Sequence, residues 1–168
     1  MLTLRRFTLA DESDARAAHI ELASDGFDFL GSAWTTTHSW ERAVQLYADW
    51  EAGENLPDGY VPAYSLAAVV DGELVGRTSI RLSLTDYLAS RGGHIGYAVR
   101  PAYRRRGYAT EILHQSILLA KRHGIERVLV TCDDANIGSA TVIERCGGVL
   151  EAIVDDAVEG RYRRYWIT

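Results

Sequence analysis

Residues 94–124, HIGYAVRPAYRRRGYATEILHQSILLAKRHG, decide how this chain folds. The segment His94–Val99 is predicted to be a strand that ends before Pro101, because proline fixes φ and has no N–H for a sheet. The strand's β-branched and aromatic residues alternate: Ile95, Tyr97 and Val99. A helix follows, with Gly124 as its predicted C-terminal cap. Its buried face is marked by apolar residues at helical spacing: Ala109, Ile112, Leu113, Ile117 and Ala120.

The turn between this strand and this helix predicts an anion-binding site. It comprises Arg104, Arg105, Arg106, Gly107, Tyr108, Ala109 and Thr110. Backbone N–H groups and the positive end of the helix dipole converge there, and Gly107 lets a ligand approach the backbone closely. The alternative is a solvated basic loop before an ordinary amphipathic helix. The P-loop and Rossmann glycine patterns are both absent, and Lys121 is the single lysine, so the phosphates are not those of either site.

Residues 104–109, RRRGYA, resemble the Q/R-x-x-G-x-G/A motif of the GCN5-related N-acetyltransferases, the GNAT family. Residues 136–147 resemble the family's next helix, N-x-x-S/A followed by a glycine. The resemblance implies a single α/β domain over residues 1–168, with a mixed, mostly antiparallel sheet, a splayed central strand pair and helices on both faces. It also implies acetyl-CoA as the cofactor, with the coenzyme A pyrophosphate held by the backbone amides of the motif.

The same resemblance implies further cofactor-binding residues. In the family, the splayed strand offers backbone groups to the pantetheine arm and the thioester carbonyl, which here implies Ala98 and Val99. Asn136 is implied to bind the pantetheine arm, although a helix cap would also explain an asparagine there. Ser139, in the same segment, belongs to the implied cofactor site.

Acetyl transfer to an amine also needs the amine to lose a proton. Many family members carry a glutamate at the start of the strand, where this chain has His94. Histidine titrates near neutral pH, so His94 is the candidate catalytic base, acting directly or through water. The alternative is a strand-end histidine without a catalytic role, in a reaction that needs no dedicated base.

The proton donor for the leaving thiolate is where the chain departs from the family pattern. The usual tyrosine position holds Ile143, which cannot donate a proton. Tyr97, Tyr108 and Ser139 are alternative donors, although packing or cofactor contact explains each of them better. Cys146 suggests a covalent acyl-enzyme, but without a histidine nearby in sequence it is better explained as a small buried hydrophobe.

Charge is unevenly distributed along the chain. Residues 1–63 hold eleven acidic residues and four arginines, a net charge of −7, whereas residues 64–168 carry +2. The functional interpretation is an acidic entrance that favours a cationic amine acceptor, and the alternative is a pair of surface helices with acidic faces.

Four aromatic residues are candidates for the wall of the acceptor pocket, with ordinary core packing as the alternative. They are Phe27, Phe29, Trp34 and Trp40.

Composition argues against several other classes of protein. The chain has 168 residues, 47% of them hydrophobic, and a net charge of −5, which is typical of one soluble globular domain. The overall acidity argues against a nucleic-acid partner, and no apolar run approaches the ~20 residues that span a membrane. No signal peptide is recognisable, and the two cysteines form no metal-ligand spacing. The expected location is therefore the cytoplasm, and no metal site is expected.

These observations predict a coenzyme A-dependent N-acyltransferase that acetylates a small-molecule amine, as a monomer or a homodimer. Two alternatives remain: a sensor that binds acyl-CoA without turnover, and an enzyme that acetylates a protein N-terminus or lysine.

The predicted fold includes a hairpin with a type I′ turn at Asp71-Gly72. The other predicted strands are Leu2–Phe7, Tyr64–Val70, Glu73–Leu82, Arg127–Cys132, Val149–Val154 and Tyr162–Ile167, and the other helices are Asp11–Ala23, Ser39–Ala52 and Ile137–Cys146, with a loose connection at Ser83–Gly93.

Overall fold

The computed structural model describes residues 1–35 and 37–168, which form seven strands, five helices and three short 3-10 turns. The strands are β1 (Leu2–Arg6), β2 (Ala63–Val70), β3 (Glu73–Arg81), β4 (Ile95–Val99), β5 (Val128–Asp133), β6 (Val149–Asp156) and β7 (Gly160–Ile167). The helices are α1 (Glu12–Ala23), α2 (Trp40–Ala52), α3 (Asp86–Ser90), α4 (Tyr108–Arg122) and α5 (Ile137–Arg145). The 3-10 turns lie at Leu9–Asp11, Gly31–Ala33 and Pro101–Tyr103.

Several helices and strands begin or end at the residues that the sequence predicted as caps or turns. The Oγ atom of Ser39 accepts a hydrogen bond from the Arg42 N–H at 3.1 Å, so Ser39 caps α2. Asp71 and Gly72 have positive φ angles of 52° and 88°, which confirms the type I′ turn of the β2–β3 hairpin. Gly124, with φ at 83°, closes the C-terminus of α4.

Two predictions of element boundaries are wrong. The loose connection predicted at residues 83–93 contains α3, which Thr85 caps by accepting a hydrogen bond from the Leu88 N–H at 3.2 Å. The last hairpin is longer than predicted, because β6 extends to Asp156 and β7 begins at Gly160. The longer hairpin depends on pairing between β6 and β7, where Asp156 lies opposite Gly160. By contrast, α3 is held by local bonds to Thr85, a cap that the sequence did contain.

The strands form two antiparallel sheets, ordered β1-β2-β3-β4 and β5-β7-β6. The neighbouring strands β4 and β5 therefore belong to different sheets. They are joined where His94 N–H donates to the Leu129 carbonyl at 2.8 Å and Leu129 N–H donates to His94 Nδ1 at 2.9 Å. Beyond this joint no ladder pairs the two strands within the described residues, so a gap opens between them. The predicted mixed α/β fold with a splayed strand pair is confirmed.

The first sheet is covered by helices on both faces, as predicted. Consecutive residues of a strand point to opposite faces, and β2 shows the two environments. Ala67 packs in the core formed with α1 and α2, whereas Ala68 packs with Ile112 of α4. Within the described parts of the chain, no helix combines the length and the apolar character that crossing a membrane requires.

Candidate active site

The segment between β4 and α4 presents unpaired backbone donors. Arg105 and Gly107 have left-handed φ angles of 63° and 84°, so the backbone turns sharply twice within three residues. Gly107 is the N-cap of α4, and nothing lies within 4 Å of the position that a Cβ would occupy there. In the described part of the chain, the backbone N–H groups of residues 105–110 have no hydrogen-bond acceptor. Together with the positive end of the α4 dipole, these groups form a concave site suited to an anion.

The arginine side chains of this segment have two kinds of surroundings. Arg104 is engaged by the protein, since its Nε donates to the Val99 carbonyl at 3.2 Å and its guanidinium pairs with a carboxylate after α1. Arg105 and Arg106 are exposed, and residues 108–110 form the half-buried first turn of α4 behind them. Arg105 and Arg106 are therefore the two arginines available to a phosphate group.

The gap between β4 and β5 holds a cleft of about 270 Å³. Asn136, the N-cap of α5, and Ser139 within that helix line this cleft, together with residues of both strands. The Oδ1 atom of Asn136 accepts a hydrogen bond from the Ser139 N–H at 3.0 Å, so the predicted helix cap is present. The amide nitrogen of Asn136 has no partner among residues 1–35 and 37–168, which leaves it available to a ligand in the cleft.

Tyr97 lies in the same cleft, with its hydroxyl 2.9 Å from Ser139 Oγ. Burial raises the pKa of the Tyr97 hydroxyl well above its ordinary value, so this group stays protonated at neutral pH. Ile143, at the position where a tyrosine donor was expected, is fully buried in the core. Of the three alternative donors, Tyr97 and Ser139 line the cleft, and Tyr108 does not.

Successive residues of β4 turn their backbone N–H and C=O groups to opposite sides, towards β3 and towards the gap. Arg100 N–H donates to the Val75 carbonyl at 2.9 Å, so the even-numbered residues of β4 bond with β3 in this antiparallel ladder. The backbone groups of Ala98 therefore face β3, and those of Val99 face the gap. Of the predicted pair, Val99 turns its N–H to the gap while its carbonyl accepts from Arg104 Nε, and the backbone groups of Ala98 bond with β3. Cofactor binding by either residue stays a prediction. The sequence named Tyr97 as an alternative proton donor but did not predict that its backbone faces the gap, because that depends on the register between β3 and β4.

His94 lies at the joint of the two sheets and lines neither the cleft nor the second cavity described below. It is 7% exposed, and its Nδ1 is occupied by the Leu129 N–H. Burial, and secondarily the positive charge of Arg81, lowers the pKa of the His94 ring, so the ring is neutral at pH 7. The structure thus gives His94 a structural contact, and its catalytic role stays a prediction.

A second cavity, of about 450 Å³, borders the cleft at Gly96. Its aromatic walls are Phe27, Tyr47, Trp50, Tyr60 and Tyr87. Of the four aromatic residues suggested for an acceptor pocket, Phe27 lines the cavity. The suggestion is wrong for the other three, because Phe29 and Trp40 are buried in the core and Trp34 packs against Trp40. Burial in the core and exposure to a cavity produce the same local pattern of aromatic residues.

The acidic residues of the N-terminal part do not gather at this second cavity. Asp28 lines it, and the other ten acids of residues 1–63, all within the described chain, do not. Several of them pair with arginines: Asp11 with Arg5, Glu12 with Arg16, Glu21 with Arg100, Asp25 with Arg104 and Glu51 with Arg6. The acidic entrance suggested by the charge distribution is therefore not formed, because Asp28 alone among these described acids lines the cavity. The pairs with Arg100 and Arg104 also offset two of the seven excess negative charges.

The two cysteines are poor nucleophiles in this fold. Burial raises the pKa of Cys132 to about 11 and also raises the pKa of Cys146. Both therefore remain thiols at neutral pH, whereas a nucleophilic cysteine needs a lowered pKa. The arrangement favours direct transfer between two bound molecules over an acyl-cysteine intermediate.

Residues 1–149 match the family model described as acetyltransferase (GNAT) domain. A GNAT-family acetyltransferase from Bacillus anthracis has a TM-score of 0.69 at 18% identity, over 99% of this chain and 93% of that one. The ribosomal-protein-S5-alanine acetyltransferase from Vibrio fischeri has a TM-score of 0.70 at 15% identity, over 98% and 91%. The microcin C7 self-immunity acetyltransferase MccE, solved with acetyl-CoA and AMP, has a TM-score of 0.66 at 17% identity, over 98% and 91%. These likenesses are of fold, and no curated protein matches the chain.

Proposed function

Because the chain belongs to the acetyltransferase (GNAT) family, we propose that it transfers an acetyl group from acetyl-CoA to a primary amine by direct attack of the amine on the thioester. The observation that carries the proposal is the run of unpaired backbone N–H groups at residues 105–110, at the end of a strand that parts from its neighbour. Hydrogen bonds from such groups to a charged acceptor are worth about 1.5–3 kcal/mol each, so several together would hold a diphosphate firmly.

The residues around the gap fit the remainder of the cofactor. The gap-facing backbone groups of Tyr97, the N–H of Val99 and the unpartnered amide nitrogen of Asn136 are the groups that would hold the pantetheine arm. Gly96 borders both the cleft and the second cavity, so a donor bound in one meets an acceptor bound in the other beside this residue. A glycine there leaves the approach between the two cavities open.

We assign proton transfer to one residue of the cleft, Tyr97, and to one at the joint of the two sheets, His94. Acetyl-CoA supplies the activated thioester, and holding it beside the amine is the largest contribution that the protein makes. The protonated hydroxyl of Tyr97, oriented by Ser139, is our proposed donor to the leaving thiolate in place of a tyrosine at position 143. His94 is the predicted acceptor of the amine proton. Because Nδ1 accepts the Leu129 N–H, the neutral ring carries its hydrogen on Nε2. His94 could therefore take up the amine proton only at Nδ1, once that hydrogen bond opens.

Two measurements test this proposal together. Calorimetry with acetyl-CoA is expected to show binding, and release of the coenzyme A thiol is expected with at least one member of a panel of small amines. Absence of binding would contradict the proposal. Binding without thiol release on any amine would favour an acyl-CoA sensor, for which Ile143 in place of the tyrosine is the supporting observation. Release on lysine peptides or protein N-termini alone would move the acceptor to a protein.

A further inference from the structure

One face of β3 forms the polar floor of the second cavity. Arg77, Ser79 and Arg81 alternate along this strand and all line the cavity, as does Ser65, which pairs with Ser79 across the β2–β3 hairpin. Because alternate residues of a strand share a face, the two guanidinium groups belong to the same side of the sheet. This is the side that carries the aromatic walls of the cavity.

Both arginines carry their charge without an acidic partner. Arg77 is 7% exposed, and its Nη1 donates to the Phe29 carbonyl. The Nη1 atom of Arg81 donates to the carbonyls of Gly92 and Gly93, at 3.0 and 3.1 Å. Among the residues that the structure describes, no carboxylate oxygen lies within 4.0 Å of either guanidinium, which is the distance limit for an ion pair. Each arginine is therefore fixed by carbonyl groups and left with an uncompensated positive charge.

A half-buried arginine at the end of the same sheet shows the usual arrangement. Arg100, at the end of β4, is neutralised by Glu21 through two hydrogen bonds of 2.9 and 2.7 Å. Burying a charge without a counter-ion is unfavourable, and the cavity is where a counter-ion for Arg77 and Arg81 has room. Burial, and secondarily the charge of Arg77, lowers the pKa of Arg81, and a bound anion would offset both effects.

We propose that the acceptor is a small amine that also carries a carboxylate, of the α-amino acid class, and that Arg77 and Arg81 bind its carboxylate. This inference rests on the transferase function proposed above. Arginine presents a planar pair of N–H donors that matches a carboxylate, and Arg77 and Arg81 are already held in place by carbonyl groups. A cavity of about 450 Å³ suits a molecule of that size. The acceptor class is thus set by the charge on the cavity floor, and not by the net acidity of residues 1–63.

A ligand series on the unaltered protein tests the inference. Each of the twenty α-amino acids is compared with its primary amide and with the amine that lacks the carboxylate, in thiol release from acetyl-CoA and in thermal-shift binding. For the best acceptor we expect the kcat/KM of the acid to exceed that of its amide by about 100-fold, the loss typical of a missing charged partner. Amides or simple amines that react as fast as the acids would overturn the inference. If no amine reacts, the proposed function fails. In that case, selective thermal stabilisation by the acids would still support a carboxylate site, and a lack of such stabilisation would overturn the carboxylate site as well.

Variants of the two arginines locate the effect. Arg77→Gln and Arg81→Gln are each expected to raise the KM for the acid by about 10- to 100-fold, with kcat and the KM for its amide changed less than about threefold. Arg77→Lys should restore part of the loss, because it returns the charge. Arg163→Gln is the matched control, since Arg163 lies on β7, pairs with Asp134 and lines neither cavity. Equal losses on the acid and the amide would show a merely structural role and contradict the assignment.

Discussion

Replacing His94 separates its contact at the joint of the two sheets from a role in proton transfer. In the structure, its Nδ1 accepts the Leu129 N–H at 2.9 Å, and the side chain is 7% exposed. His94→Leu removes this acceptor and leaves a buried N–H unpaired, which destabilises the fold by about 1–3 kcal/mol. For a chain of this size, that loss corresponds to a melting temperature lower by roughly 2–12 °C. His94→Asn places an amide oxygen near the former Nδ1, so we expect it to recover most of the loss.

The same two variants distinguish a structural from a catalytic histidine. Asparagine can accept the Leu129 N–H but cannot act as a base at neutral pH. If His94 acts only at the joint, His94→Asn keeps kcat/KM within about threefold, whereas losing a general base reduces it by roughly 10²- to 10⁴-fold. Thermal unfolding and thiol release are measured on the same preparations. A 100-fold loss of activity in His94→Asn at an unchanged melting temperature would refute the structural account.

The pH dependence of stability gives an independent check on His94. Its pKa in the fold lies below the ordinary value of 6.5, because burial, and secondarily Arg81, disfavour the charged ring. The unfolded chain therefore binds this proton more readily, so stability rises with pH across that interval. The contribution is complete above about pH 6.5 and is lost as the pH falls through the lower folded pKa. The difference in unfolding free energy between the wild type and His94→Asn should shrink or change sign across that interval, and a difference independent of pH would contradict the assignment.

Two further predictions concern packing and acid stability. A Cβ at Gly148 would lie 2.8 Å from the Ile143 carbonyl oxygen, so Gly148→Ala should lower the free energy of unfolding by about 1–3 kcal/mol in denaturant titrations. Gly138 lies within α5, and a Cβ there would meet nothing closer than Asn136 Oδ1 at 3.6 Å. Gly138→Ala should therefore raise the free energy of unfolding by about 0.4–1 kcal/mol. Equal losses in both variants would disprove the packing argument. Although burial acts in the opposite direction, the hydrogen bond from Arg5 holds the pKa of Asp11 below 3.8, so this carboxylate's stabilisation is lost as the pH falls through that lower value. Asp11→Asn should therefore flatten the acid limb of stability against pH, and an unchanged limb would count against the ion pair.

Features that depend on a few neighbouring residues were predictable from the sequence. The turn at Asp71-Gly72, the cap at Ser39 and the glycine before α4 each follow from the backbone angles or donors that one position requires. The strand–turn–helix segment at residues 94–124 carries its own signals for the same reason. The family resemblance then supplied the order and the splay of the strands, which local signals alone do not contain.

Features that depend on how distant strands meet were not predictable. Whether Ala98 or Tyr97 turns its backbone to the gap depends on the register between β3 and β4, which the sequence of β4 does not contain. The engagement of His94 by Leu129 depends on the contact between two sheets. Similarly, Arg77 stands in a strand where an arginine usually marks a solvent-exposed face, and only the packed aromatic walls show that its charge is buried.

The most direct test of cofactor binding at residues 105–110 compares Gly107→Trp with Gly124→Trp. The two glycines cap opposite ends of α4, have left-handed φ angles of 84° and 83°, and have no atom within 4 Å of a Cβ position. Backbone strain from the substitution is therefore similar at both ends, but only the side chain at position 107 covers the unpaired amides. In calorimetry with acetyl-CoA, we expect Gly107→Trp to weaken binding by at least about 100-fold and Gly124→Trp to change it by less than about threefold. Equal affinities in the two variants would contradict a diphosphate site at the start of α4.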